Sequence, residues 1–368
     1  MSYILSIGTQ TPPFYYSQEK TKKFVSELFR SKYKNIDRLL NVFQNGQIQG
    51  RYFSAPFEWF KKRHSFSEKN DRYIELATNL GVEAIEKTLN NELFLTESIH
   101  HEQIDALIFI SSTGISTPSI EAKIMNKLPF QAHAKRMPIW GLGCAGGASG
   151  VARAYEYCKA FPEANVLVLC VELCSLTFQK DDATKSNLIG TSLFADGVAC
   201  CLISGSESNL LQYSKRETLP MIIDSQSTLM RDSEDVMGWD VKDSGLHVIF
   251  SKNIPSIIKN WLKPNIEIFL NRHKLAVKNI DQLIAHPGGK KVLEAYETAL
   301  NLSGDHLFHS TNVLKNFGNM SSATVLFVLS EILKMNIGQG EYGLLFALGP
   351  GFSSECVLLQ WRHLKEES

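Results

Sequence analysis

No run of about eighteen consecutive apolar residues occurs in this chain, so it offers no segment able to cross a bilayer as a helix. It has no net charge either: Lys plus Arg and Asp plus Glu number 38 each. That balance excludes nucleic acid and other polyanions as expected partners. There is no long charge run and no low-complexity tract. The opening residues, Met1 to Gly8, carry no basic stretch, and their apolar run is too short for a signal peptide. A cytoplasmic location is therefore expected. The seven cysteines (144, 158, 170, 174, 200, 201 and 356) form no paired framework, and thiols are expected. Cys170 and Cys174 lie close in sequence but lack a second pair or a His cluster to complete a zinc set.

What is present is an ordinary globular composition over 368 residues, 44% apolar and 21% charged. That length supports two domains or one large α/β unit. Residues 17–45 predict helix, as do the apolar spacings between Tyr73 and Leu89. The run from Ala106 to Ile110 is continuously apolar, as in a strand covered on both faces. Further strands are expected at Met137–Trp140, Asn165–Val171 and Gly197–Ser204. A second half, beyond a polar stretch near 205–216, predicts a helix around 252–272, a strand at 282–285 and helices at 290–300 and 322–333. Two closing strands follow, at 342–348 and 355–360. Alternating strands and helices argue for an α/β fold with mixed, mainly parallel sheets, divided at about 1–210 and 211–368.

The segment Trp140-Gly141-Leu142-Gly143-Cys144-Ala145-Gly146-Gly147 joins a predicted strand to a helix of small residues. Glycines permit a sharp turn there. A cysteine at a helix start meets free N–H groups and the positive dipole end, which favour the reactive thiolate. The same letters also match a dinucleotide-binding pattern, Gly141-x-Gly143-x-x-Gly146, with Glu163 and Glu172 near the acidic position. That pattern normally opens its domain, whereas over a hundred residues precede it here. A buried space-filling cysteine is the plain structural alternative.

A nucleophile needs partners. His286 ends an apolar strand ahead of Pro287-Gly288-Gly289, where α/β proteins place catalytic groups. Asn319 precedes the helix from Ser322 and could serve as its N-cap or as an amide donor to an oxyanion. A cysteine with a distant His and Asn is an arrangement for covalent acyl chemistry.

Together the three motifs resemble the chalcone and stilbene synthase superfamily, the type III polyketide synthases. They are Gly-Cys-Ala-Gly-Gly at 143–147, Ala-His-Pro-Gly-Gly at 285–289 and Gly-Asn-Met-Ser-Ser at 318–322. Val171-Glu172-Leu173-Cys174, Leu193-Phe194-Ala195-Asp196-Gly197 and Gly349-Pro350-Gly351-Phe352 extend the likeness over nearly the whole chain. In detail the sequence is similar to bacterial members such as the alkylpyrone synthases of bacilli. The resemblance implies a thiolase-type fold of two related α/β halves and a homodimer. It also implies no metal or redox cofactor, and acyl-CoA and malonyl-CoA as substrates. Cys144 would carry the acyl starter, His286 would keep Cys144 as a thiolate, and His286 with Asn319 would hold the malonyl thioester carbonyl and the enolate that decarboxylation leaves. Phe194 matches an aromatic gatekeeper. Glu172, Cys174, Thr177 and Ser321 match cavity-lining positions. Thr117 matches a residue inserted into the partner's cavity.

Several positions depart from the plant pattern. Cys174 stands for a Thr, Val248 for a second gatekeeping Phe, and Trp239 for a Gly beside the cavity. The smaller Val248 suggests a wider mouth and a long aliphatic starter. Of the basic residues expected to bind coenzyme A, Arg38 is kept, while Asn41 and Asn45 replace two others; Lys61, Lys62, Arg63, Lys290 and Lys291 are candidates to compensate. The nearest alternative activity is a ketoacyl synthase making a single condensation.

Overall fold

The computed structural model describes residues 1–364 apart from 31, 33–35, 252 and 303. Its centre is a nine-stranded sheet. In spatial order the strands are Gln282–Ala285, Tyr342–Gly349, Ser353–His363, Thr218–Leu229, Ser2–Gln10, Asp196–Gly205, Asn165–Leu173, Ala106–Ser111 and Lys135–Trp140. Every residue of Asn165–Leu173 and of Asp196–Gly205 is buried, which is why their interiors, 166–171 and 198–203, read as unbroken apolar runs.

The strand–helix rhythm shows as parallel pairing on the two flanks. Gln282–Ala285 runs parallel to Tyr342–Gly349, and Ala106–Ser111 lies parallel to both of its neighbours. The centre differs, being antiparallel from Tyr342–Gly349 through to Asn165–Leu173. The halves join there by a short pairing, Ser2 opposite Ile222 and Tyr3 opposite Met221.

Two helices cross this junction and position the chemistry. Gly146–Ala160 begins with small residues, and a Cβ at Gly147 would lie 2.3 Å from the Ser322 carbonyl oxygen. Only glycine allows that approach. Its neighbour, Ser322–Leu333, is apolar nearly all round and almost wholly buried, as expected of a helix packed on every side. Of the Gly141-x-Gly143-x-x-Gly146 pattern, Gly141 and Gly143 take positive φ in a turn, and Gly146 packs against Ile110 and Ser322, where an added Cβ would come within 2.5 and 3.0 Å. A separate cluster of Phe24, Val25, Phe29, Phe43, Phe53, Phe60 and Leu188 lies under the N-terminal region.

Some boundaries differ from expectation. The helix expected over 17–45 ends at Phe29, and two short helices, Ile36–Leu39 and Asn41–Asn45, follow. The helix expected around 252–272 contains a π-helical turn, Ile258–Leu262, just before Pro264. Proline lacks the N–H that would continue a regular ladder. A hairpin, Met237–Lys242 paired with Gly245–Phe250, forms a separate two-stranded sheet.

Candidate active site

Cys144 follows the edge strand Lys135–Trp140. Gly141 (φ +92°) and Gly143 (φ +47°) make the turn, and Cys144 lies in a single 3₁₀ turn, Gly143–Ala145, that leads into the helix. A side chain at Gly143 would meet Pro350 at 2.7 Å, so the Gly349-Pro350-Gly351 loop and the nucleophile turn are pressed together. The Gly143 N–H donates to Ser112 Oγ at 2.9 Å. Burial pushes the Cys144 thiol up to about 12, against the lowering expected from a helix start. The helix dipole does not offset the loss of water around a charge in this resting geometry.

Asn319 is 2% exposed, and its amide orientation is fixed from both sides. Oδ1 accepts the Ser321 N–H at 2.8 Å, and Nδ2 donates to the Gly288 carbonyl at 3.2 Å. The Cys144 sulfur lies 3.9 Å from Oδ1 and can donate its S–H there. One Nδ2 hydrogen remains for another acceptor. Asn319 is not an N-cap. Ser321 holds that place, at φ +47° and without a side-chain cap, a strained conformation for a residue with a Cβ.

The Asn319 backbone is stitched to the proposed gate. Its N–H donates to Leu193 at 3.0 Å and its carbonyl accepts from Ala195 at 2.8 Å. Arg51, fully buried, donates to the carbonyls of Thr191 (2.8 Å) and Phe194 (2.6 Å). Burial holds its guanidinium down at about 9.

His286 follows Gln282–Ala285 and hydrogen-bonds through its N–H to the Phe346 carbonyl, 2.9 Å away. It is 2% exposed, and neither ring nitrogen has a hydrogen-bond partner among the described residues. Burial lowers it to about 3, so it is neutral at rest, with one ring nitrogen donating and one accepting.

Cys144, His286 and Asn319 line one cavity of about 60 Å³, together with Ser321, Phe194, Val248 and the apolar Trp239, Phe250 and Leu348. Phe194 stacks on Phe250 at 5.5 Å and tilts against Trp239 at 5.7 Å. A second cavity of about 50 Å³ holds Cys174, Thr177 and a ring of Phe24, Phe53, Phe57, Phe60 and Phe178. Phe194 and Val248 line both cavities and so form the wall between them.

Other expected residues lie elsewhere. Glu172 lines neither cavity. It is fully buried behind the nucleophile, accepting from Ser322 Oγ (2.6 Å), the Ser112 N–H (3.1 Å) and Thr113 Oγ1 (3.0 Å). Burial raises it to about 7. Thr117 is exposed on the loop at the cis Thr117–Pro118 bond, beside a surface cleft and away from the catalytic cavity. Arg38 is exposed in a short helix. Arg63 pairs with Asp181 at 2.7 Å, and Lys290 with Glu294 at 3.6 Å. Sequence reasoning missed Arg51 and Tyr296, both wholly buried and each lining one cavity.

The family models for the N-terminal and C-terminal domains of chalcone and stilbene synthases match residues 1–208 and 221–362. A protein of Bacillus subtilis (strain 168), provisionally named chalcone synthase, is 53% identical over 98% of this chain and 99% of its own length. A 1,3,6,8-tetrahydroxynaphthalene synthase of Streptomyces peucetius subsp. caesius is 32% identical over 97% of this chain and 93% of that protein. The crystal structure of the Streptomyces coelicolor A3(2) tetrahydroxynaphthalene synthase, a bacterial type III polyketide synthase, superposes with a TM-score of 0.89. It is 26% identical and covers 98% of this chain and 99% of that one. The chain therefore belongs to the chalcone and stilbene synthase family and has the thiolase-type fold of its structural neighbours. It is a type III polyketide synthase, an acyltransferase that condenses malonyl-CoA.

Proposed function

We propose that this enzyme loads a long-chain fatty acyl group from its coenzyme A thioester onto Cys144, extends it with malonyl-CoA and cyclises the product to an alkylpyrone. The observation that carries the starter choice is the aromatic-lined second cavity lying across Phe194 and Val248 from the thiol. At about 50 Å³ this apolar chamber has room for the part of the chain that crosses the wall, and it suits methylenes, each worth about 0.8 kcal/mol on burial.

The chemistry follows from the side chains. The neutral His286 takes the thiol proton, and the thiolate attacks the acyl thioester. Coenzyme A leaves and recovers that proton. Two opposite charges formed together in the cavity offset much of the cost that each would meet alone. Malonyl-CoA then loses carbon dioxide, and the electrons of the broken C–C bond form an enolate. A ring N–H of His286 and the free amide hydrogen of Asn319 donate to its oxygen. The enolate carbon attacks the acyl carbonyl, and the Cys144 thiolate leaves. The chain, two carbons longer and carried on coenzyme A, returns to Cys144 for the next round.

In this reading the protein works as a cytoplasmic homodimer without metal or redox cofactor. The exposed Thr117 faces the partner's cavity, and Arg38 contributes to holding the coenzyme A phosphates. The test is product analysis by mass spectrometry with labelled malonyl-CoA and acyl-CoA starters of increasing length. Alkylpyrones that grow more abundant with starter length support the proposal. Preference for acetyl or aromatic starters, or products of a single condensation, would refute it.

A further inference from the structure

Tyr296 stands on the helix Lys290–Leu300, one turn beyond Val292, and is 0% exposed. Its ring packs edge-on against Phe346, with centroids 5.1 Å apart. Its hydroxyl has no hydrogen-bond partner among the described residues. A buried phenol normally finds a partner, because the desolvated O–H otherwise costs free energy. Tyr296 nevertheless lines the cavity that holds Cys144, His286 and Asn319. Among the described residues, the other buried and unpartnered side-chain nitrogens or oxygens of this cavity are the two ring nitrogens of His286. The rest of the wall is largely apolar, with Trp239, Phe250, Ile254 and Leu348. An unpartnered donor retained in such a wall is suited to an acceptor that arrives with the ligand.

We infer that the Tyr296 hydroxyl is a substrate-binding group that donates a hydrogen bond to a carbonyl oxygen of the acyl chain carried by Cys144. The inference rests on the proposed acyl chemistry and adds a donor to it. Acyl and polyketide chains offer ketone and thioester oxygens as acceptors, and the surrounding apolar wall strengthens such a bond by excluding water. No proton is transferred, so the phenol stays neutral throughout.

Tyr296→Phe removes the hydroxyl and keeps the ring. Acylation of Cys144 by a fatty acyl-CoA is followed by intact-protein mass, malonyl-CoA consumption is followed in parallel, and thermal melting is recorded without substrate. The expected result is a roughly three- to tenfold loss in acylation or condensation rate, the range one hydrogen bond provides. The unliganded melting temperature should be equal to or above that of the parent, because a desolvated, unpartnered group has been removed. Both rates within twofold of the parent would overturn the inference. So would a lower melting temperature, which would mean that the hydroxyl has a partner inside the protein. A parent enzyme that acylates Cys144 but leaves malonyl-CoA untouched would refute the polyketide reading alone, with the effect of Tyr296→Phe still read from acylation. A parent that does neither would overturn both.

Discussion

Replacing Val248 by Phe should convert a chain-length preference into a chain-length limit. Val248 lies in the wall between the two cavities and faces Gly190, where an added Cβ would come within 3.2 Å of the valine methyl. A phenyl ring adds roughly four carbons to a well-filled site, so it must occupy space an acyl chain would use. Excluding roughly four methylenes from an apolar chamber forfeits about 3 kcal/mol, or roughly a hundredfold in kcat/KM. The assay is kcat/KM for a series of saturated acyl-CoA starters, with malonyl-CoA saturating. The loss should appear only for starters long enough to cross the wall, while short starters stay within a few-fold of the parent. Overpacking costs about 1–3 kcal/mol in stability, so melting temperatures are measured alongside. An equal loss at every chain length, or no loss with long starters, would refute the two-chamber reasoning.

Other consequences concern the buried polar groups and the helix contact. Glu172 has a folded pKa raised to about 7 from 4.5. Its stabilising contribution is therefore full below pH 4.5 and is lost as pH rises through 7, by about 3 kcal/mol. The melting temperature of Glu172→Gln minus that of the parent should rise over that window and level off above it; a flat difference would contradict the burial argument. Gly147→Ala places a Cβ 2.3 Å from the Ser322 carbonyl oxygen and should cost about 1–3 kcal/mol in chemical denaturation. Because Cys144 and Asn319 sit at the starts of these two helices, turnover should fall as well. Lys69 donates to the carbonyls of Phe178 (3.1 Å) and Ser244 (3.0 Å) and to Gln179 Oε1 (3.1 Å). It ties down the turn of the hairpin that carries Trp239 and Val248. Lys69→Met should speed amide hydrogen exchange across residues 237–250, and unchanged protection there would refute that role.

The site was legible where chemistry demands particular letters. Cys144, His286 and Asn319 each follow a Gly-rich or strand-end motif, and the fold brings all three into one cavity. The flanking strands were legible because full burial makes their interiors continuously apolar, as in residues 166–171 of Asn165–Leu173. The antiparallel centre was not, since pairing direction depends on which distant strands meet rather than on local pattern. Thr218–Leu229 shows this: its half-exposed end, Asp224-Ser225-Gln226-Ser227-Thr228, reads as loop until its partner Ser353–His363 is known. Glu172 was expected in the cavity wall, but its strand turns the carboxylate toward Ser112, Thr113 and Ser322. Arg51 reads as an ordinary surface cation in sequence; the carbonyls of Thr191 and Phe194 that justify its burial lie some 140 residues away. Tyr296 reads as one more apolar position on an amphipathic helix, and only the cavity reveals its hydroxyl. The thiol pKa went the other way from the helix-start expectation, because burial outweighs the dipole at Cys144.

The central claim, that Cys144 carries the acyl chain, is tested most directly by incubating the purified enzyme with a fatty acyl-CoA alone and measuring intact and peptide mass. The account predicts one acyl adduct per chain, located on Cys144 and absent from Cys144→Ala. An adduct on another residue, such as the neighbouring cavity thiol Cys174, or no adduct from any starter, would contradict it.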